Sequence, residues 1–207
     1  MILASVEDVV FDVSNVLRVP VLILALAALA LVLIELGALV AELASRRRRD
    51  SSRLEAAAVA ARTAADEDGR RRALLTLQGA TASPAMADAV ARVAGLIGAP
   101  GAETRIAKSL ADYDLRSLRR LERTRLLVRA GPALGLMGTL IPLSPALNGL
   151  ARGDVSRLTD NLRVAFSITV LGLLIGAVAF GVSLVRDRLY AQDLSDLEFV
   201  TAILEES

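Results

Sequence analysis

Three long apolar stretches constrain this chain of 207 residues more than any other feature. They cover residues 19–43, 130–150 and 162–185. The hydrocarbon core of a bilayer is about 30 Å thick, and a helix that crosses it needs about 20 apolar residues. A helix also satisfies its backbone hydrogen bonds internally, as lipid requires. The sequence therefore predicts an all-α membrane protein with three transmembrane helices.

The residue types present exclude several kinds of chemistry. The chain is 54% hydrophobic, has a mean hydropathy of +0.53, and contains neither cysteine nor histidine. The usual zinc sites and Ser-His-Asp triads are therefore excluded, and neither a phosphate loop nor a dinucleotide fingerprint is present. Aromatic residues make up only 3% of the chain, which disfavours a base-stacking nucleic-acid surface. We expect no enzyme activity, no metal, no cofactor and no nucleic-acid partner.

The first apolar stretch differs from a cleaved signal peptide. Acidic residues, among them Glu7, Asp8 and Asp12, precede it, and the arginines of 46–49 follow it. A signal peptide has a basic leader and a shorter apolar run. We therefore expect residues 19–43 to remain as a transmembrane helix. Residues 1–18 would form an extracytoplasmic segment, either a short surface helix or a frayed terminus.

The distribution of charge predicts the orientation. Residues 44–129 hold 18 of the 24 basic residues against ten acidic ones, a net charge of +8, and Arg186 and Arg188 follow the third stretch. Basic residues beside spans favour the cytoplasmic side. We expect the cytoplasmic (inner) membrane, with the N-terminus and loop 151–161 outside. Region 44–129 and the tail 186–207 would then be cytoplasmic and helical.

Helix boundaries can be placed within the predicted cytoplasmic parts. Ser83 and Pro84 suit the N-cap and first position of a helix that extends to Ile97, and the Gly-Ala-Pro-Gly run at 98–101 is a strong break. Residues 102–129 contain no glycine or proline, so this helix should continue into the second span. Residues 186–204 should extend the third span in the same way.

The second and third spans each carry a face of small residues. Thr169, Gly172 and Gly176 recur at the spacing of one helix face. Gly135, Gly138 and Thr139 begin a comparable face in the second span. One interpretation is close helix packing, with the hydroxyls bonded to their own backbone. The other is a pore in which Thr139 and Thr169 offer hydroxyls to water, a proton or a partner side chain.

Two other features of the spans leave alternatives open. Pro142 and Pro145 each remove a backbone donor and free a carbonyl one turn earlier, which either kinks the helix or exposes carbonyls to a wet path. Glu35 is the one ionisable residue well inside the first span. Such residues are costly in lipid, so Glu35 has either a structural role or a direct role in an ion path.

Residues 131–145 read GPALGLMGTLIPLSP and residues 165–176 read AFSITVLGLLIG. Together they resemble the MotA/TolQ/ExbB proton channel family. The G-L-x-G-T pattern that ends at Thr139 is similar to the second span of that family, and the T-x-x-G-L pattern that begins at Thr169 is similar to its third. The length of the chain is closer to TolQ and ExbB than to flagellar MotA.

The resemblance implies a mechanism that spacing alone could not give. Members of the family form pentamers around two copies of a single-span partner, which has a transmembrane aspartate and an extracytoplasmic domain. Proton flow through that aspartate is thought to rotate one ring against the other. By resemblance, Thr139 and Thr169 are pore-facing residues. The accompanying packing and pore stripe consists of Gly135, Gly138, Pro142, Pro145, Gly172 and Gly176.

The sequence departs from the family pattern at one position. ExbB-like members carry a glutamate five residues before the threonine of the third span, where this chain has Val164. The partner would then have to supply the conducting carboxylate. The expected function is a stator-type subunit driven by ion-motive force, with the proton as the ion. A membrane scaffold without conduction, or a passive channel or transporter subunit, remains the alternative.

Overall fold

The computed structural model describes residues 9, 12–14, 16–46 and 50–206. The predicted segment 1–18 falls mainly outside these residues, and so do three of the four arginines of 46–49. The described residues form helices and contain no strand, so the all-α prediction is confirmed. The helices are α1 (Arg18–Ser45), α2 (Ser51–Thr63), α3 (Glu67–Ala80), α4 (Pro84–Ala94), α5 (Ala102–Ala151) and α6 (Val155–Glu205).

Three of these helices, α1, α5 and α6, are long and apolar enough to cross a membrane. They contain the three predicted spans. α5 has 50 residues and α6 has 51, which at 1.5 Å per residue gives each a length of about 75 Å. Both therefore extend well beyond a bilayer core. As predicted, α5 continues from Ala102 through the Gly131-Pro132 step, and α6 continues past Arg186.

The connection between α5 and α6 is shorter than predicted. Only Arg152–Asp154 separate the two helices, whereas a loop over 151–161 was expected. The N–H of Asp154 donates to the carbonyl of Gly149 and that of Gly153 donates to Leu150, both at 2.9 Å. Gly153 has a φ of 77°, which glycine adopts without strain and which closes α5 in a Schellman motif. Polar residues 155–161 contain no glycine or proline, so they can form the first turns of α6.

The three short helices each begin at a side chain that caps them. Asp50, Asp66 and Ser83 accept hydrogen bonds from the backbone N–H three residues later, at 3.2, 3.1 and 3.3 Å. Such caps satisfy donors that the first turn leaves free. The predicted Ser83-Pro84 start is confirmed, although α4 ends three residues before Ile97. The predicted break follows, and within it Gly98 has a φ of 81°.

The chain divides into two compact units, each with its own core. The span unit contains the described residues of Met1–Ala38 together with Glu122–Ser183, and the polar unit contains those of Leu39–Leu121 and Leu184–Ser207. The span-unit core is Val21, Ala28, Val32, Leu127, Leu134, Ile175 and Ala179. In the polar unit, the core includes Leu77, Met86, Val90, Tyr113, Leu197 and Val200.

Candidate ion-path helices and a buried polar network

In the span unit, α5 and α6 approach each other backbone to backbone. A Cβ placed on Gly172 would lie 2.5 Å from the carbonyl oxygen of Gly131 and 2.7 Å from the Cα of Gly135. A Cβ placed on Gly135 would lie 3.3 Å from the carbonyl oxygen of Thr169. There is no room for a methyl group at Gly172. Glycines therefore set the distance between these two helices.

The contact continues on both sides of these glycines. A Cβ on Gly176 would lie 2.9 Å from the ring of Pro132, and one on Gly138 would collide with the side chain of Ile168. The predicted stripe glycines of α5 and α6 thus meet the opposite helix of the same chain. Gly131 and Pro132 belong to this contact as well, although the predicted stripe did not include them.

The two threonines have different hydrogen-bond partners. The hydroxyl of Thr169 lies 3.3 Å from the carbonyl oxygen of Gly135 on α5 and equally far from that of Ala165 on its own helix. The hydroxyl of Thr139 donates to the carbonyl of Leu136 at 2.7 Å, within α5. Both side chains are half-buried. Only Thr169 therefore has a polar contact at the junction of the two helices.

The prolines of the second span lie inside an uninterrupted α5. Pro142 is buried and Pro145 is half-buried. Pro142 also lines a small pocket with Gly138, Val164 and Arg18. The position where ExbB-like members carry glutamate thus faces a pocket that an arginine also lines. That arginine donates to Asn161 Oδ1 at 3.1 Å, which ties the start of α1 to α6.

Glu35 lies on α1 in the span unit. Its side chain is half-buried, and it takes part in a polar or electrostatic interaction. It does not line the pocket beside Pro142. The structural role and the ion-path role of Glu35 both stay predictions.

The polar unit contains a buried carboxylate that the sequence patterns did not single out. Asp193 is 2% exposed. Arg46 donates to its two oxygens at 2.8 and 3.0 Å, Ser83 donates at 3.0 Å, and Tyr113 donates at 3.2 Å. Four hydrogen bonds from three side chains satisfy the carboxylate, which is the condition for burying a charge at low cost.

Arg46 links this carboxylate to a second group of polar residues. Its guanidinium also donates to Glu42 at 3.2 Å, and Tyr190 donates its hydroxyl to the same carboxylate at 3.4 Å. Arg186 Nε lies 3.6 Å from Glu42 Oε2. Two acidic residues, Glu42 and Asp193, and two basic residues, Arg46 and Arg186, therefore lie close together inside the polar unit. We call Glu42, Ser83, Arg46, Tyr113, Arg186, Tyr190 and Asp193 the polar network.

Burial and charge shift the protonation of three members of the polar network. Burial raises the pKa of Tyr113 well above its usual value, and the negative charge of Asp193 adds to the effect. The pKa of Tyr190 is raised by burial and by the charge of Glu42. Burial alone would lower the pKa of Arg46, but hydrogen bonds to Asp193 and Glu42 outweigh it, and the pKa is raised. Both tyrosines are thus neutral donors at physiological pH.

A sequence signal for Asp193 exists. Tyr190, Asp193, Leu197, Val200 and Leu204 recur at spacings of three and four and are all buried. Asp196, which is also buried, follows three residues after Asp193. Acids within such an apolar face of a helix predict buried, paired carboxylates. Among the described residues, no three His, Cys, Asp or Glu side chains are arranged to hold a metal ion.

Comparison with known proteins identifies the segment that holds the candidate site. Residues 102–198 match the MotA/TolQ/ExbB proton channel family. No curated protein sequence and no solved structure matches the chain at a significant level. The matched segment contains all of α5 and most of α6, and hence both threonines and every glycine of the α5–α6 contact.

The family comprises transport-related subunits rather than a class of enzymes. Together with three apolar helices of sufficient length, it indicates a membrane protein. The resemblance found in the sequence is thereby confirmed, and residues 102–198 carry the match to the MotA/TolQ/ExbB proton channel family.

Proposed function

We propose that this protein is a stator-type subunit of a motor complex that is driven by ion-motive force, with the proton as the ion. Several copies, five by analogy with the family, form a ring around a single-span partner and transmit work to it. The partner contributes a transmembrane aspartate and an extracytoplasmic domain. The ring lies in the cytoplasmic membrane with the N-terminus of each chain outside.

The observation that carries this proposal is the glycine contact between α5 and α6, which lies inside the family-matched segment. Helices that merely anchor a protein in lipid do not need backbones in contact. A rigid helix pair, however, holds its remaining hydroxyls at fixed positions. Thr169 lies at this contact, within 3.3 Å of the Gly135 carbonyl. Thr139 and Thr169 are the hydroxyls we assign to the ion path.

The chemistry favours an acid that belongs to the partner. A carboxylate must be neutral to cross an apolar zone cheaply and ionised to face water or a positive charge. This chain has Val164 where related subunits carry glutamate, and Glu35 lies on α1 rather than on the matched helices. In the proposed mechanism the partner supplies the carboxylate that carries the proton, and this chain supplies the hydroxyls along its path.

The small energy available per ion favours close packing of α5 against α6. One charge crossing about 100 mV releases about 2.3 kcal/mol. A leak or a slipped step would waste much of so small a quantity. Small residues that let α5 and α6 touch leave little space for an uncoupled path of water.

The proposal can be tested with whichever single-span protein co-purifies with the chain. The tagged chain is purified from its host membrane in mild detergent, and any single-span protein that accompanies it is identified by mass spectrometry. The two proteins are co-reconstituted in vesicles with a pH-sensitive dye inside. We expect proton flux that is abolished when the companion's transmembrane Asp becomes Asn, and that falls at least about tenfold with Thr169→Val.

A matched control is available on the same helix. Thr159 is exposed, and its hydroxyl donates to Val155 at 3.0 Å within α6, so Thr159→Val should leave the flux unchanged. Flux through the chain in the absence of a companion would instead indicate a passive channel. An intact complex without any flux would indicate a scaffold.

A further inference from the structure

A cavity of about 430 Å³ lies within the polar unit, between the end of α1, the second half of α3 and the start of α4. Ser45 lines it from α1, Gln78 lines it from α3, and Ala87 lines it from α4. Sites for small ligands in proteins have volumes of about 300–1,000 Å³. The cavity is therefore large enough for a small molecule or for the polar end of a larger one.

Three hydroxyl groups line this cavity, and each donates its proton to the protein. Ser45 and Thr81 donate to backbone carbonyls at 3.0 and 2.8 Å, and Ser83 donates to the carboxylate of Asp193 at 3.0 Å. A hydroxyl has one donor and two acceptor lone pairs. Toward the cavity these oxygens can therefore only accept, so a molecule that binds there must supply the donors.

The cavity lies at the depth of lipid headgroups. Ser45 is the last residue of α1 and lies two residues after Leu43, where the predicted first span ends, a distance of about 3 Å along the helix. A compact cavity of this volume is about 9 Å across. Headgroups extend about 5–8 Å beyond the hydrocarbon core. This depth follows from α1 and from the size of the cavity alone.

The rim of the cavity carries an apolar side chain and charges of both signs. Leu75 lines the cavity and is 60% exposed. Arg71 and Arg72 are exposed one turn earlier on α3, and Asp88 is exposed on α4 directly after a lining residue. The acidic residues at 67–68 lie about one further turn away from Leu75. A molecule with a cation, an anion and an apolar part suits such a rim.

We propose that this cavity binds the headgroup of phosphatidylethanolamine, whose primary ammonium supplies three N–H donors. The ammonium donates to the hydroxyl oxygens of Ser45 and Thr81, the phosphate lies toward Arg71 and Arg72, and Leu75 contacts the apolar part of the lipid. With the proposed orientation, this lipid belongs to the cytoplasmic leaflet. The inference goes beyond the proposed function, because it does not depend on ion conduction.

Two lipids that differ only at the headgroup nitrogen test the proposal. The full-length chain is purified in mild detergent and mixed with equal amounts of phosphatidylethanolamine and phosphatidylcholine that have the same acyl chains. Phosphatidylcholine has three methyl groups in place of the N–H donors. Native mass spectrometry measures the bound lipid, and we expect phosphatidylethanolamine to be at least about fivefold more abundant.

Substitutions assign the preference to the cavity. Ala87→Leu places a larger side chain in the cavity and should abolish the preference. Ala91 is the matched control, because it is exposed one turn later on α4 and does not line the cavity, so Ala91→Leu should leave the preference unchanged. Ser45→Ala removes one acceptor at an exposed helix end. It should lower binding of phosphatidylethanolamine about threefold and leave that of phosphatidylcholine unchanged, which tests the proposal even if Ala87→Leu fails to fold.

Four results would overturn the proposal. Equal binding of the two lipids would show that no N–H donor is recognised. Equal effects of Ala87→Leu and Ala91→Leu would place the lipid elsewhere. A stronger preference for phosphatidylglycerol would indicate that net negative charge is recognised instead. A soluble molecule bound in place of lipid would assign the cavity to a different ligand. The proposed function would survive each of these results, since the flux measurement does not depend on this cavity.

Discussion

The span unit and the polar unit hold their helices together in opposite ways. In the span unit, α5 and α6 touch because Gly131, Gly135 and Gly172 have no side chains. In the polar unit, Asp193 joins residues from distant parts of the chain because Arg46, Ser83 and Tyr113 all donate to it. The helix contact in the span unit therefore depends on the absence of side chains, whereas the polar network depends on the presence of every donor to Asp193.

This difference predicts opposite sensitivities to mutation. Adding one methyl group should damage the span unit, because close-packed interiors do not absorb extra volume cheaply. Removing one charge should damage the polar unit, because the opposite charge then stays buried without its partner. Substitutions of both kinds, ordered by their expected effect, test the comparison.

The largest effect is expected for Asp193→Asn. The substitution keeps the shape of the side chain but leaves the buried guanidinium of Arg46 without its main counter-charge, at a cost of about 3–5 kcal/mol. Asp112→Asn is the control, since Asp112 pairs with Lys108 at an exposed site, where ion pairs contribute at most about 1 kcal/mol. Thermal unfolding in detergent, followed by circular dichroism, measures both. Equal losses would show that the buried network has no special role.

A smaller effect is expected for Gly172→Ala. The new Cβ would lie 2.5 Å from the carbonyl oxygen of Gly131, so the helices must separate, at about 1–3 kcal/mol. Gly181 is the matched control on the same helix, since a Cβ there meets nothing within 4 Å. Gly181→Ala should change stability by at most about 1 kcal/mol, in the stabilising direction. The thermal midpoints of the two variants decide the point, and the idea fails if they agree.

Thr169→Val should have a modest effect on stability. It removes a hydroxyl that lies within 3.3 Å of the opposite helix, and one hydrogen bond contributes about 1 kcal/mol. Thr139→Val removes a hydroxyl that bonds within its own helix, so its effect should be smaller still. Unfolding midpoints of the two variants, measured in one detergent, compare them. A larger loss for Thr139→Val would place the important hydroxyl on α5.

The last prediction concerns the two tyrosines of the polar network. Their ionisation should not change stability at neutral pH and should lower it only at high pH. Folding raises the pKa of Tyr113 and Tyr190. Their stabilising contribution is therefore complete below the ordinary tyrosine pKa of about 10 and is lost as the pH rises toward the raised values. We expect the thermal midpoint to fall above about pH 10, and to fall less steeply in Tyr113→Phe.

Absorbance gives a direct measurement of the same prediction. The chain has two tyrosines and no tryptophan, so the tyrosinate band reports on Tyr113 and Tyr190 alone. In the folded protein the band should appear at higher pH than in the protein unfolded by denaturant. Coincident titration curves would contradict the burial argument.

The features that depend on local sequence were predictable. The length of the apolar stretches predicted the three spans. The absence of glycine and proline over 102–129 predicted that this helix continues into the second span. The pairing of Ser83 with Pro84 gave the start of α4. The end of the α5–α6 loop was missed, because the polar residues 155–161 suggested a loop although nothing in them breaks a helix.

The polar network was not predicted, because its members are far apart in sequence. Asp193 lies 147 residues from Arg46, 110 from Ser83 and 80 from Tyr113. Arg46 belongs to the arginine block from which the orientation was inferred, yet in the structure it pairs with a buried acid. A charge pattern gives no information about which charge is buried.

The sequence by itself determined that this chain is helical, that three segments suit a bilayer, and that two of them resemble a proton channel family. These properties follow from hydrophobic length, helix-breaking residues and local motifs, all of which act over one helix or less. Only the tertiary structure decided which glycines meet which backbone, and that Asp193 is a buried charge satisfied by Arg46, Ser83 and Tyr113. Those outcomes depend on which surfaces fold against each other, and such contacts join residues that no local pattern connects.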